Sequence, residues 1–184
     1  MALVSFKGET RFSACTGVFV DFDDACLTIL TSACLVTAPY LLNKIVEGLR
    51  IEVLLPNKHR VDGALVHYSL HYNVALVSVK NCRARYPVNL KHTIPMELED
   101  HIIDTKVFSV GRIFTSGELM ATSGKITADT DSLDCGILWY STCEVTKAAV
   151  GDPLVDVNGN YIGMNFIGLN KEIGTAYLYR EDLR

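Results

Sequence analysis

Short runs in which apolar and polar residues alternate follow one another along most of the chain, and each run predicts a β-strand. Turn-forming residues separate the runs, as at Asp23 and Asp24 or at Pro56 and Asn57. The predicted strands cover residues 12–21, 27–31, 49–55, 60–68, 73–79, 106–110, 118–127, 136–143, 153–157, 161–166 and 175–178. Many short strands at near-regular spacing indicate an all-β sandwich or a pair of β-barrels.

The clearest hairpin in the sequence lies between residues 153 and 166. Residues 153–157 carry enough alternating apolar side chains for a half-buried strand, and Asn158 and Gly159 supply the positive φ angles of a two-residue turn. Residues 161–166 then form the returning strand. Taken by itself, the pattern of this stretch is explained by an ordinary β-hairpin.

Composition and charge narrow the class of protein. The chain has 184 residues, of which 49% are hydrophobic, so it can build a sizeable core. Its formal net charge is −4 and it has no basic block, which argues against nucleic acid as a partner. No apolar run reaches the ~18 residues of a membrane span, so no membrane partner is expected. The first residues do not resemble a signal peptide, and we therefore expect an intracellular protein, cytoplasmic or nuclear.

The cysteines and histidines do not indicate a metal or another cofactor. Six cysteines occur without any C-x-x-C pair, and in a large, hydrophobic chain without a signal peptide they are expected to be free thiols. The same spacings disfavour zinc. His67 and His71 are four residues apart and could form a metal pair, although core-edge or surface positions explain them equally well.

Several segments, in order, resemble the trypsin-like serine proteases of the Deg/HtrA type. They are residues 16–20, 29–36, 73–77, 107–111, 123–127, 145–166 and 174–178. The chain is also similar to the degenerate trypsin-like-domain proteins of grasses. This resemblance implies an all-β fold of two six-stranded Greek-key β-barrels, with the N-terminal barrel in residues 1–90, a connector in 91–104 and the C-terminal barrel in 105–184.

The resemblance also implies where the catalytic triad of such a protease would lie. Cys34 falls at the position of the general base, Asn73 at that of the orienting acid and Val150 at that of the nucleophile. A triad needs an imidazole to take the serine proton and a carboxylate to balance the imidazolium, and none of these three residues can do so. Asp152 replaces a glycine of the nucleophile loop, which challenges the usual shape of that loop.

Two binding features are expected from the same resemblance. Backbone N–H groups of Ala148 and Val150 would form the oxyanion loop. Gly163, Met164, Asn165 and Phe166 match the edge strand that holds extended peptides, although an interior hairpin strand would read the same. Glu144, six residues before Val150, would give an acidic specificity pocket or would be a surface glutamate.

We therefore hypothesise a catalytically inactive domain, a pseudoprotease that acts as a module for binding a protein or an extended peptide, or as a regulatory module. One alternative is a rewired peptidase with Cys34 or Cys143 as the nucleophile, since cysteine with a nearby base is a known arrangement. Another is a structural part of a larger plant protein whose cleft is unused. The oligomeric state stays open, because Deg relatives form trimers.

Overall fold

The computed structural model describes residues 1–20, 27–38, 44–80, 82, 87–88, 90, 102–127, 138–145, 149–168, 175–179 and 183, with the backbone alone at 167–168. Twelve strands run through these residues. They are β1 (Ala2–Lys7), β2 (Thr10–Val20), β3 (Leu27–Ser32), β4 (Arg50–Leu54), β5 (Arg60–Ser69), β6 (Val74–Val79), β7 (Lys106–Arg112), β8 (Leu119–Thr127), β9 (Leu138–Ser141), β10 (Pro153–Asp156), β11 (Tyr161–Gly168) and β12 (Thr175–Tyr179). A 3-10 turn, Ala33–Leu35, follows β3.

The strands close into two six-stranded antiparallel barrels with the same neighbour order. The first barrel follows the order β1-β2-β3-β6-β5-β4, and the second follows β7-β8-β9-β12-β11-β10. The predicted double barrel is therefore confirmed. Among the described residues, no helix has the length and apolar character needed to cross a membrane.

Each barrel encloses its own apolar core. The core is formed by the side chains that point inward, which alternate along each strand with side chains that point outward. Leu3, Ile29, Val53 and Val77 are buried in the first barrel. The second core contains fully buried residues of several strands, Val107, Ile126, Leu154 and Tyr177. Burying side chains of this size contributes about 1.5–3 kcal/mol each relative to exposure, so these two cores stabilise the scaffold that holds the site.

The barrels meet through a third apolar cluster. Leu30 of β3 packs there with Tyr140 of β9, Met164 of β11 and Leu178 of β12. This contact explains why all six residues of β3 are buried: one face lines the first barrel and the other faces the second barrel. The turn after β7 adds a smaller contact, because Phe114 packs on Ala2, Val4 and Leu54 of the first barrel.

Most predicted strands agree with observed ones within a few residues, but β1 was not predicted. The strand spans Ala2–Lys7 and its first four residues are buried between β2 and β4. The predicted connector, 91–104, lies mostly outside the described residues, which resume at Ile102.

Candidate functional site

Cys34 and Asn73, which sequence analysis assigned to two triad positions, are in contact. The Cys34 thiol lies 3.4 Å from Asn73 Oδ1, and the Cys34 backbone N–H donates to the same oxygen at 3.2 Å. Ser32 Oγ is a third donor to Asn73 Oδ1, at 2.9 Å. Three donors thus converge on one uncharged amide oxygen.

The turn after β3 places these groups. Ser32 ends the strand and caps the 3-10 turn, because its hydroxyl accepts the Cys34 N–H at 3.0 Å. The cap leaves the Cys34 side chain exposed at the first-barrel side of the site, while Ala33 and Leu35 are buried on either side of it. Ser32 was not among the predicted site residues, although a serine before a helical turn is a common cap.

Asn73 is held in a left-handed backbone conformation, with φ of 49°. Asparagine adopts this region more readily than most residues. Its backbone N–H donates to Leu70 at 3.3 Å, and its carbonyl accepts the Ala33 N–H at 3.1 Å. The conformation directs the side chain across the start of β6 toward the second barrel.

The Asn73 amide connects the barrels. Its Nδ2 donates to the backbone carbonyl of Phe166 at 3.1 Å. Phe166 lies at an irregularity in β11, between Asn165 and Ile167, where the pairing with β12 shifts. The shift leaves the Phe166 carbonyl available to Asn73, an interaction that the residue pattern did not predict.

The loop before β10 brings the third predicted position beside this pair. Val150 is buried, and Gly151, with φ of +90°, donates its N–H to the Asn165 carbonyl at 2.8 Å. A Cβ added to Gly151 would lie 2.8 Å from Thr16 O and 3.0 Å from Ser32 N. The loop therefore presses on the end of β3, next to Cys34. Ala148 lies outside the described residues, so the oxyanion loop of Ala148 and Val150 stays a prediction.

Asp152 is buried at the barrel interface with few partners. Ser109 Oγ lies 3.5 Å from Asp152 Oδ2, and Asp152 Oδ1 has no hydrogen-bond partner among the described residues. Burial raises the pKa of Asp152 to about 7, although the hydroxyls of Thr16 and Ser109 and the amino group of Met1 oppose that rise. The carboxyl lines a cavity of about 90 Å3 together with Thr16 and Arg112.

Gly111 makes room for this carboxyl. A Cβ at Gly111 would lie 2.5 Å from Asp152 Oδ2. The Asp152 backbone keeps regular bonds, donating to Ala149 O and accepting from Asn165 N, both at 3.0 Å. The aspartate is thus accommodated within an ordered backbone, and the space for it comes from a strand 41 residues earlier in the sequence.

Most residues of the predicted peptide-binding strand, 163–166, are hydrogen-bonded on both sides. Gly163 and Met164 pair with Leu154 and Pro153 on one side and with β12 on the other. Asn165 bonds to the loop through both backbone groups. Those three residues therefore present no free strand edge. Beyond Phe166, residues 167–168 pair with β12, and no described strand pairs with their other side.

The remaining candidates lie apart from the pair. Cys143 is buried, its thiol facing the carbonyls of Val107 and Thr122 at 3.8 Å, and burial raises its pKa. Glu144 is exposed. The His71 ring packs edge-on against Tyr72, with ring centroids 4.7 Å apart. The described ranges contain no cluster of three or more histidine, cysteine or acidic residues that could hold a metal ion.

Comparison with known proteins agrees with this geometry. The family described as "Trypsin-like peptidase domain" matches residues 15–164. The serine endoprotease from Yersinia pestis is similar in structure, with a TM-score of 0.69 and 18% identity over 97% of this chain. The chain spans 57% of that protein. The MamO protease domain from Magnetospirillum magneticum, in its apo form, gives a TM-score of 0.64 and 15% identity, covering 97% of this chain and 89% of that domain. The curated proteins compared with the chain include no match.

Proposed function

The chain belongs to the trypsin-like peptidase domain family, and from this we propose that it binds extended peptides or protein segments without cleaving them. Such a pseudoprotease would act as a binding or regulatory module. The single observation that carries the proposal is the convergence of Cys34, Ser32 and the Cys34 N–H on the neutral amide oxygen of Asn73.

That arrangement supports an inactive centre for a chemical reason. A serine-protease mechanism needs a base that accepts a proton and an anion that stabilises the resulting cation. The Cys34 thiol points its hydrogen toward an amide, and Asn73 carries no charge. Val150 has an aliphatic side chain that is buried, so it offers no hydroxyl for attack.

The backbone next to this centre supports peptide binding. Residues 167–168 have one paired side, toward β12, and no described strand covers the other side. An extended peptide can add to such a strand through main-chain hydrogen bonds, while pockets beside it select side chains. Phe166, which is half-buried, carries the Asn73 bond at the start of this segment.

One observation favours a second candidate function, a peptidase that uses Cys34 as its nucleophile. The thiol is exposed at the site, where a substrate could reach it. A cysteine nucleophile requires a nearby base that takes its proton. The hydrogen bonds of Cys34 within the described part of the chain go to Asn73 and Ser32, and neither residue is a base.

The test is hydrolysis of a diverse fluorogenic peptide library, with peptide retention measured in parallel. The natural domain is compared with a variant carrying Cys34→His, Asn73→Asp, Val150→Ser and Asp152→Gly. The matched control has the same changes except Val150→Ser. We expect the natural domain to retain peptides but cleave none, and only the variant with the serine to cleave.

Each other outcome selects a different function. Cleavage by the natural domain would overturn the proposal, and loss of that cleavage in Cys34→Ala would establish the cysteine peptidase. If the natural domain retains no peptide and the variant cleaves none, the cleft is unused. The structural role within a larger protein would then replace the binding function.

A further inference from the structure

The outer edge of β8 is an unpaired stretch of backbone in the described part of the chain. β8 pairs with β7 along its whole opposed length, from Lys125 to Leu119. Its pairing with β9 covers only Ile126 and Thr127. From Leu119 to Ser123, therefore, no described strand lies on the outer side of β8.

Hydrogen bonds at the two ends of this segment show which residues point outward. Lys125 bonds outward to Thr142 through both its N–H and its carbonyl, each at 2.9 Å. At the other end, the Glu118 carbonyl accepts inward, from Ile113 N at 2.9 Å. Because the direction alternates along an antiparallel strand, the backbone groups of Leu119, Ala121 and Ser123 point outward. No bond to those groups occurs within the described ranges.

The side chains do not protect this edge. All residues from 119 to 123 are exposed, with 65% of Leu119 and 44% of Met120 accessible to solvent. The segment L-M-A-T-S-G contains neither a charged residue nor a proline. Proteins usually guard long edges with lysine, proline or a bulge, so a bare apolar edge marks a surface that pairs with another strand.

We propose that a second copy of this chain occupies the edge, through antiparallel pairing of β8 with β8 about a two-fold axis at Ala121. Only residues that both point outward can form hydrogen-bonded pairs in an antiparallel ladder. With Ala121 opposite itself, Leu119 lies opposite Ser123 of the other copy, so each outward residue of the segment finds a partner. Such a contact is isologous, as expected for a symmetric dimer.

Charge complementarity favours a second copy over an unrelated peptide. Glu118 begins the exposed segment and Lys125 ends it, with no charge between them. Antiparallel self-pairing sets the acidic end of one strand beside the basic end of the other. It also sets Met120 opposite Thr122, so no like charges face each other across the two-fold axis.

The position on the axis gives a specific test by sedimentation and native mass spectrometry of the full chain. Ala121→Lys and Ala121→Glu each set two like charges directly opposite one another. We expect each variant alone to dissociate at least about fivefold more readily than the natural protein. An equimolar mixture should restore dimers of mixed composition. Ala64→Lys, at an exposed alanine of β5 in the other barrel, is the matched control and should leave the dimer intact.

A monomeric natural protein throughout the micromolar range would overturn the proposal. Dimers that persist unchanged in both Ala121 variants would place the interface elsewhere. Failure of the mixture to form mixed dimers would exclude Ala121 from the axis. Circular dichroism and Ala121→Val, which keeps the backbone N–H and adds no charge, separate misfolding from a lost interface. These readouts do not depend on peptide binding or cleavage.

Discussion

The side-chain amide of Asn73 donates to the backbone carbonyl of Phe166 at 3.1 Å, joining two residues that are 93 positions apart and belong to different barrels. The same side chain accepts from Ser32 and Cys34 through its oxygen. Asn73 therefore uses both ends of its amide, one toward each barrel. It fixes the end of β3 relative to the strand that we propose to bind peptides.

Removing this amide should weaken the domain. Asn73→Gly keeps a backbone that adopts φ of 49° without strain but loses the side-chain bonds, so we expect the free energy of unfolding to fall by about 1–3 kcal/mol. Asn73→Ala should cost roughly 1 kcal/mol more because of the left-handed backbone. Urea denaturation measures both. A glycine variant as stable as the natural domain would show that the amide does not hold the barrels together.

Asp152 should make stability depend on pH. Its pKa is raised to about 7 by burial, whereas an unfolded aspartate titrates near ~3.9. The folded state thus binds the proton more tightly than the unfolded state does. The stability that this protonated carboxyl contributes is fully present below about pH 4 and is lost as the pH rises through about 7. Asp152→Asn should remove this pH dependence. The free energy of unfolding of the variant should exceed that of the natural domain by an amount that grows with pH to at most ~4 kcal/mol.

The measurement is urea denaturation of both proteins from pH 4 to pH 8, and the difference between them isolates Asp152. Asp62→Asn, at an exposed position of β5, controls for the change in net charge. A difference that stays constant with pH would mean that the Asp152 carboxyl does not titrate with folding in this range.

Gly163 should tolerate no side chain. A Cβ there would lie 2.2 Å from the Leu178 carbonyl and 2.8 Å from the Tyr177 ring. Backbone cannot move as a flexible side chain does, so Gly163→Ala should cost about 3 kcal/mol or more in thermal or urea unfolding. Gly159→Asn in the same hairpin is the control. It has open space and a φ of +82° that asparagine accepts, so its cost should be below about 1 kcal/mol. Equal losses of stability in the two variants would contradict the close packing of Gly163 against Leu178 and Tyr177.

Thiol labelling should distinguish the described cysteines. Cys34 is exposed and should be the first of the described cysteines to react in the native protein. Cys15 and Cys143 are buried, and burial raises the pKa of Cys15 to about 12 and raises that of Cys143, so both should react only on unfolding. Mass spectrometry after timed labelling gives the order, with Cys34→Ala as the control. Rapid native labelling at Cys143 would require the second barrel to open.

Much of the fold follows from local pattern, and the exceptions have physical causes. Period-two alternation located β4 and β5 because one side of each strand faces a core. Strand β1 was missed because its first four residues are all buried between β2 and β4, so it lacks the alternation of apolar and polar positions. Barrel closure also pairs both sides of Gly163 and Met164, which a single strand's pattern does not show.

The site was predictable only in part. The resemblance to trypsin-like proteases assigned Cys34 and Asn73 to two positions of one catalytic triad, and the structure has them in contact. The Phe166 carbonyl depends on an irregularity in β11, and the fit of Asp152 depends on Gly111. Both arise from tertiary packing between distant segments, and neither changes the apolar pattern along the sequence.

Because Asn73 both accepts and donates hydrogen bonds, few other side chains fit at this position. A carboxylate at position 73 would still accept from Ser32 and Cys34, but it would turn an oxygen toward the Phe166 carbonyl in place of a donor. The repulsion between these two oxygens would destabilise the folded protein. An acid at this position alone is therefore expected to destabilise the contact between the barrels, because the Phe166 carbonyl needs a donor opposite it.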